Sequence, residues 1–140
     1  MSAFEKKKRR ISNDIRNRRT ENQLLENASV ELLDLYNRLD NGIREISYEI
    51  KKHTSISEII YSTTKNIVYL CVQSRKNRLK LYLRTTDDVM IDYKNLTSPT
   101  LSSHGNITRR LIISPLEEKI GKFSIDDLIN LIHQSYKTTL

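Results

Sequence analysis

Along residues 57–93 the apolar residues recur every second position, whereas residues 29–46 and 124–136 repeat at three and four. The second rhythm opens at Asn27-Ala28-Ser29, where Ser29 suits a helix N-cap. Leu32, Tyr36, Leu39, Ile43 and Ile46 then line one helical stripe, and the pattern predicts a helix ending near Lys51-Lys52. Gly42 falls inside it at a cost of about 1 kcal/mol relative to alanine; the unbroken period favours one helix over a break at Asp40-Asn41-Gly42. Strands are predicted at Ile59–Thr63 and Ile67–Gln73, from their β-branched and aromatic content, and at Arg78–Arg84.

The last of these strands, with its two preceding residues, reads KNRLKLYLR and splits into two stripes. Leu79, Leu81 and Leu83 take one side, and Arg78, Lys80, Tyr82 and Arg84 the other. The polar cluster Ser74-Arg75-Lys76-Asn77 reads as a hairpin loop. Centred there, it pairs Val72 with Leu79, Leu70 with Leu81 and Val68 with Leu83 on one buried face. The opposite face then pairs Tyr69 with Tyr82, Cys71 with Lys80 and Gln73 with Arg78.

Val89–Tyr93 is a shorter strand candidate, residues 94–108 read as a polar loop, and Arg109–Ser114 supplies another strand stopped by Pro115. The closing helix has Ser124 as cap, Asp127 at the reciprocal capping position and Phe123 placed to staple onto Leu128. Its inward face is Ile125, Leu128, Ile129, Ile132 and Tyr136. Helix, four or five mostly antiparallel strands, then helix defines an α+β fold. The expected architecture is a two-layer sandwich with both helices on one side of the sheet.

Charge divides the chain into a basic N-terminal extension, residues 1–23, and a single α+β domain, residues 24–140. Residues 1–20 hold eight Lys/Arg against Glu5 and Asp14, so six of the seven net positive charges lie there. Apolar positions in the extension (Phe4, Ile11, Ile15) are too sparse to drive packing, which predicts a flexible segment or a frayed helix. Such a segment suits a polyanion, or serves as a solubilising tail or linker.

No apolar run approaches the roughly 18 residues of a membrane span, and no apolar stretch follows the basic start as in a secretory signal. Cys71 is the sole cysteine, so an internal disulfide is excluded. The expectation is a cytoplasmic protein with no membrane association, in which the sequons at Asn27, Asn95 and Asn106 are chance matches.

Enzymatic chemistry finds little to stand on. Gly42, Gly105 and Gly121 are isolated, which excludes a phosphate-cradling glycine loop, and His53, His104 and His133 lack metal-ligand spacing. His133 reads as a partly exposed helix residue. Asp40 with Glu49-Ile50-Lys51 resembles the acidic, Glu-x-Lys arrangement of metal-dependent nucleases. On one helix, however, Glu49 and Lys51 diverge by about 200°. They read as solvated charges. Cys71 is a reactive thiol only if Lys80 lowers its pKa; otherwise it fills the sheet. The expectation is a non-enzymatic chain with no cofactor and no metal.

The basic stripe remains. No acidic residue lies between Glu58 and Asp87, yet Lys65, Arg75, Lys76, Arg78, Lys80 and Arg84 do. With Tyr69 and Tyr82 they suit a nucleic acid, DNA or RNA, by phosphate contact and base stacking. Lys6, Lys7, Lys8, Arg9 and Arg10 would form an electrostatic arm. Two other readings stand beside this one. The stripe is an ordinary solvated β-face, or Ile67, Tyr69, Cys71 and Tyr82 contact a protein partner or a second copy.

The run TTKNIVYLCVQSRKNRLKLYLR, the His-Gly-Asn of the loop and IDDLINLIHQSY resemble an uncharacterised bacterial domain often labelled a predicted transport protein. The resemblance covers residues 21–139 and is strongest at Arg78–Leu83 and Asp127–Tyr136. That domain occurs alone or at the C-terminal end of longer chains, some resembling restriction endonucleases. Its loop carries a Gly-His-Trp-Gly-Asn-Gly-like motif. Here Ser103-His104-Gly105-Asn106 lacks the tryptophan and the flanking glycines, and residues 115–122 are longer than in the family. The resemblance gives His104 its only functional case, although no carboxylate nearby in sequence orients it. It implies a domain without established chemistry, attached at times to DNA-cutting modules, and hence a restriction or phage-defence setting.

Overall fold

The computed structural model describes residues 18–85, 90–100 and 108–140. Among these residues, four helices, α1 (Glu21–Leu25), α2 (Val30–Ile46), α3 (Pro115–Lys119) and α4 (Ile125–Lys137), accompany six strands. These are β1 (Lys51–Thr54), β2 (Ile59–Ser62), β3 (Asn66–Gln73), β4 (Arg78–Arg84), β5 (Thr97–Pro99) and β6 (Thr108–Ile113). They form one antiparallel sheet in the order β1-β2-β3-β4-β6-β5. The α+β architecture is as expected, and the two short edge strands, β1 and β5, were not anticipated.

The β3–β4 hairpin has the expected register at every pair, from Val68↔Leu83 to Gln73↔Arg78. A 3₁₀ turn over Ser74–Lys76 closes it, and Asn77 adopts a left-handed conformation (φ 50°). Asparagine tolerates this geometry better than most residues, because its short polar side chain bonds locally. Here Asn77 Oδ1 accepts from Ser29 Oγ at 2.7 Å, and the same Ser29 hydroxyl caps α2 by accepting from Leu32 N. One residue therefore fixes both the helix start and its position beside the hairpin.

The core is a single cluster. Leu32, Leu35, Leu39 and Ile43 of α2, with Leu128, Leu131 and Ile132 of α4, cover Val68, Leu70, Leu79, Leu81, Leu83, Leu111 and Ile113 of the sheet. The two helices approach closely at Gly42, where a Cβ would stand 2.6 Å from Ile129 Cδ1. Helix α2 runs through this glycine unbroken, as its periodicity predicts. The capping box expected on α4 is present: Asp127 N donates to Ser124 Oγ, and Ser124 N donates to Asp127 Oδ2.

Four expectations need correction. Helix α2 stops at Ile46, because Ser47 turns to extended backbone (φ −161°, ψ 140°) and residues 48–49 turn the chain into β1. Lys51 and Lys52 are therefore strand residues on opposite faces, and Lys52 is drawn inward to Asp40. Ile67 is fully buried in the core cluster rather than on the outer face. A bulge explains it: Tyr61 pairs with Val68 and Ser62 with Asn66, leaving Ile67 as the extra residue.

Residues 90–93 are not a strand. The backbone N–H and C=O of Ile91 are bonded instead by the Gln134 side chain of α4, each at 2.9 Å. The region expected to be loop holds β5, because both Asp92 carboxylate oxygens accept backbone N–H groups, from Leu96 and Thr97. Helix α3 was not anticipated, although Ser114 caps it and Pro115 opens it.

Candidate nucleic-acid interface

The alternation of β4 is complete. Leu79, Leu81 and Leu83 are fully buried while Arg78, Lys80, Tyr82 and Arg84 are half-buried on the other face. Cross-strand pairing sets Tyr69 beside Tyr82, Cys71 beside Lys80 and Gln73 beside Arg78. On the far side of β4, Arg110 stands beside Tyr82 and Ile112 beside Lys80. Lys51 and His53 of β1 occupy the same face, since His53 pairs with Ile60 and Ile60 with Tyr69.

Local contacts hold these side chains in place. Asn66 Nδ2 donates to the Tyr69 hydroxyl at 2.9 Å, and Arg78 Nε donates to Gln73 Oε1 at 2.6 Å. Lys80 Nζ lies 5.3 Å from the centroid of the Tyr82 ring, within the range of a cation–π contact. Arg84 Nε is buried without an acceptor among the described residues. Arg75 and Lys76 of the 3₁₀ turn are exposed, extending the cationic row past the end of the hairpin.

The outward positions of β3, β4, β5 and β6 carry no carboxylate among the described residues. Glu58, just before β2, marks the margin of the face. Burial pushes the Cys71 thiol up, Glu58 adds to the effect, and Lys80 opposes it more weakly. Cys71 is accordingly a sheet-filling residue and not an activated nucleophile.

Two of the site residues escaped sequence reasoning for different reasons. Arg110 was recoverable, because Leu111 and Ile113 face the core and alternation sends Arg110 outward. Its neighbour Arg109 points the other way and bonds Thr97 through Nε at 2.7 Å. Lys51 was hidden by the expected extension of α2.

The basic arm, Lys6–Arg10, lies outside the described residues, and the extension is described from Arg18 onward. Arg19 N donates to Ser55 O at 3.3 Å, and Thr54 Oγ1 donates to Arg19 O. Arg19 and Arg75 line a common cleft of about 580 Å³ with Cys71 and Ser74. The extension therefore enters the fold beside the cationic turn.

The nuclease-like trio does not converge. Asp40 is bonded by Tyr61 OH at 2.7 Å and Lys52 Nζ at 3.0 Å, while Glu49 sits in the turn after α2 and Lys51 is exposed on the far face of β1. His133 is exposed on α4 and stacks on Tyr136, and His104 lies outside the described residues. Among the described residues, no group of His, Cys, Asp and Glu is placed to hold a metal ion, and no helix is long and apolar enough to cross a membrane. No family model, curated protein or solved structure matches this chain.

Proposed function

We propose that the protein is a non-enzymatic accessory domain that binds nucleic acid, DNA or RNA, through the β3–β4–β6 face and the Lys6–Arg10 arm. The observation that carries this reading is the face itself. Arg78, Lys80, Arg84 and Arg110 surround Tyr69 and Tyr82 with no carboxylate at the outward positions of those strands. Cations so placed displace counterions from phosphate, and each neutralised phosphate steepens the salt dependence of binding. The cleft that Arg19 and Arg75 share supports the reading, because it sets a cation of the N-terminal extension beside the cationic turn. A restriction or phage-defence setting is the biological context that the family resemblance implies.

The test is a salt titration of binding by the full chain, beside variants with Lys6–Arg10 or Arg78 and Lys80 changed to glutamine. Affinity that falls steeply with salt, and a shallower slope in both variants, supports the reading. Self-association that persists in high salt and is weakened by Tyr69→Glu or Tyr82→Glu, without nucleic-acid affinity, would replace it with the protein-interaction reading.

A further inference from the structure

We infer that the cleft between α1, the start of β2 and the 3₁₀ turn is a phosphomonoester site. Its ligand is the terminal phosphate of a nucleic-acid strand or a free mononucleotide; only the first source rests on the nucleic-acid reading above. The cleft encloses about 580 Å³, within the roughly 300–1,000 Å³ of small-molecule sites. Two exposed guanidinium groups, Arg19 and Arg75, line it, and no carboxylate does. Among the described residues neither arginine takes part in an ion pair.

The two cations come from distant parts of the chain, and the backbone sets each in place. Arg19 N donates to Ser55 O at 3.3 Å and Thr54 Oγ1 donates to Arg19 O, which ties the extension to the end of β1. Arg75 sits in the 3₁₀ turn, which Asn77 closes by donating its N–H to Ser74 O at 3.1 Å. Gln23 commits its carbonyl to the cap of α1, where Oε1 accepts from Thr20 N at 2.9 Å. Its amide nitrogen is left as a donor for the cleft. Asn27, Ser57 and Ser74 add further polar groups to the lining.

A phosphomonoester suits this set better than a carboxylate or a phosphodiester. It carries about −1.5 to −2 charges at neutral pH and three terminal oxygens. It can therefore engage two guanidinium forks and still accept from amides and hydroxyls. The phosphate fills only part of the cleft. Leu24, Cys71 and Val72 line the remainder, an apolar wall for the attached nucleoside. Glu58 stands outside the lining, but its charge reaches Cys71 and opposes an anion at that margin.

The experiment measures full-chain affinity for an oligothymidylate of roughly 12 nucleotides with a 5′-phosphate or a 5′-hydroxyl, and for thymidine monophosphate, all at one salt concentration. The phosphorylated strand is expected to bind roughly 10- to 100-fold tighter than the hydroxyl-ended one. Arg19→Gln and Arg75→Gln should each remove most of that difference. Lys76→Gln alters an exposed cation of the same turn that does not line the cleft, and should weaken both strands alike. Binding of thymidine monophosphate that needs both arginines, without affinity for either strand, supports the inference with a free nucleotide as ligand and overturns the nucleic-acid reading. Equal affinity for the two strands without binding of the mononucleotide overturns the inference and leaves nucleic-acid binding intact. So does a difference that survives both arginine changes or that Lys76→Gln also removes. Absence of binding to every probe overturns both.

Discussion

The Lys52 ammonium lies 3.0 Å from Asp40 Oδ1, and both side chains are almost entirely buried, at 13% and 10% exposure. Tyr61 OH donates to the same carboxylate oxygen, Arg44 reaches the other at 3.2 Å, and Glu21 pairs with Lys52 at 2.6 Å. This cluster ties α1, α2, β1 and β2 together beneath the first turn of the sheet. Burial and the adjacent negative charges raise the Tyr36 and Tyr61 phenols, so both stay protonated and Tyr61 remains a donor at any physiological pH.

Removing the cation leaves a buried carboxylate short of its main partner. Lys52→Met is therefore expected to destabilise the protein by about 3–5 kcal/mol. Asp40→Asn should cost less, because the amide oxygen still accepts from Tyr61 and Lys52 keeps Glu21. Urea unfolding checks the order. A Lys52→Met midpoint equal to wild type would show that the cluster contributes nothing net.

Gly42→Ala reverses its usual sign here. In an open helix the change gains about 1 kcal/mol, but the new Cβ would stand 2.6 Å from Ile129 Cδ1 and 2.8 Å from Cγ1. Overpacking of this kind costs about 1–3 kcal/mol. The expected outcome is net destabilisation, and a smaller loss for Ile129→Ala in the Gly42→Ala background than in wild type. A double-mutant cycle with no coupling would contradict the contact.

Acid should weaken the fold through two carboxyls. Lys94 and the Ser124 N–H hold the Asp127 carboxyl below its ordinary 3.8. Burial pushes Asp92 up, but the Thr97 hydroxyl, the Leu96 and Thr97 N–H groups and Arg109 outweigh it and leave it lowered. A depressed folded-state pKa adds stability above the unfolded value, which is lost as pH falls through the folded one. Stability should stay level with respect to these groups down to about pH 4 and decline below it. Asp127→Asn should start lower at neutral pH and lose less on acidification. Identical slopes for the two proteins would rule out this linkage.

The neighbours Arg109 and Arg110 should separate stability from binding. Arg110→Gln is expected to flatten the salt slope of the proposed nucleic-acid binding by about one unit with unfolding unchanged. Arg109→Gln breaks the bond to Thr97 and should lower stability by about 1–3 kcal/mol while leaving the slope alone. Parallel binding and melting measurements decide between them. An exchange of the two phenotypes would mean that β6 is turned over.

The elements legible in the sequence are those whose local and long-range demands agree. Three leucines alternating with cations, facing Val68, Leu70 and Val72 across a polar turn, admit one register. Ser124 and Asp127 announce the start of α4 by a bond that needs only neighbours in sequence. The failures came where a distant group decided the outcome. Lys51-Lys52 suits a helix C-terminus until Asp40 is placed opposite Lys52. Thr97-Ser98-Pro99 is polar and short, and becomes a strand because Asp92 gathers the N–H groups of Leu96 and Thr97 at its start. Ile67 obeys a two-residue period only in an unbroken pleat, and the bulge against Tyr61 and Ser62 moves it inward. For the candidate interface, the β4 row was visible from alternation alone, whereas Arg110 required knowing that β6 joins β4.

The outermost strands have a consequence for the protein in crowded company. β1 is four residues long and carries two lysines, and β5 is three residues long and ends in Pro99, which has no N–H to offer. Neither border presents a long, uncharged template, so a copy of the chain has little to zip onto. Fibrillar growth by lateral accretion is blunted at both flanks, and a broad pleated sheet can end there without inviting its own kind to extend it.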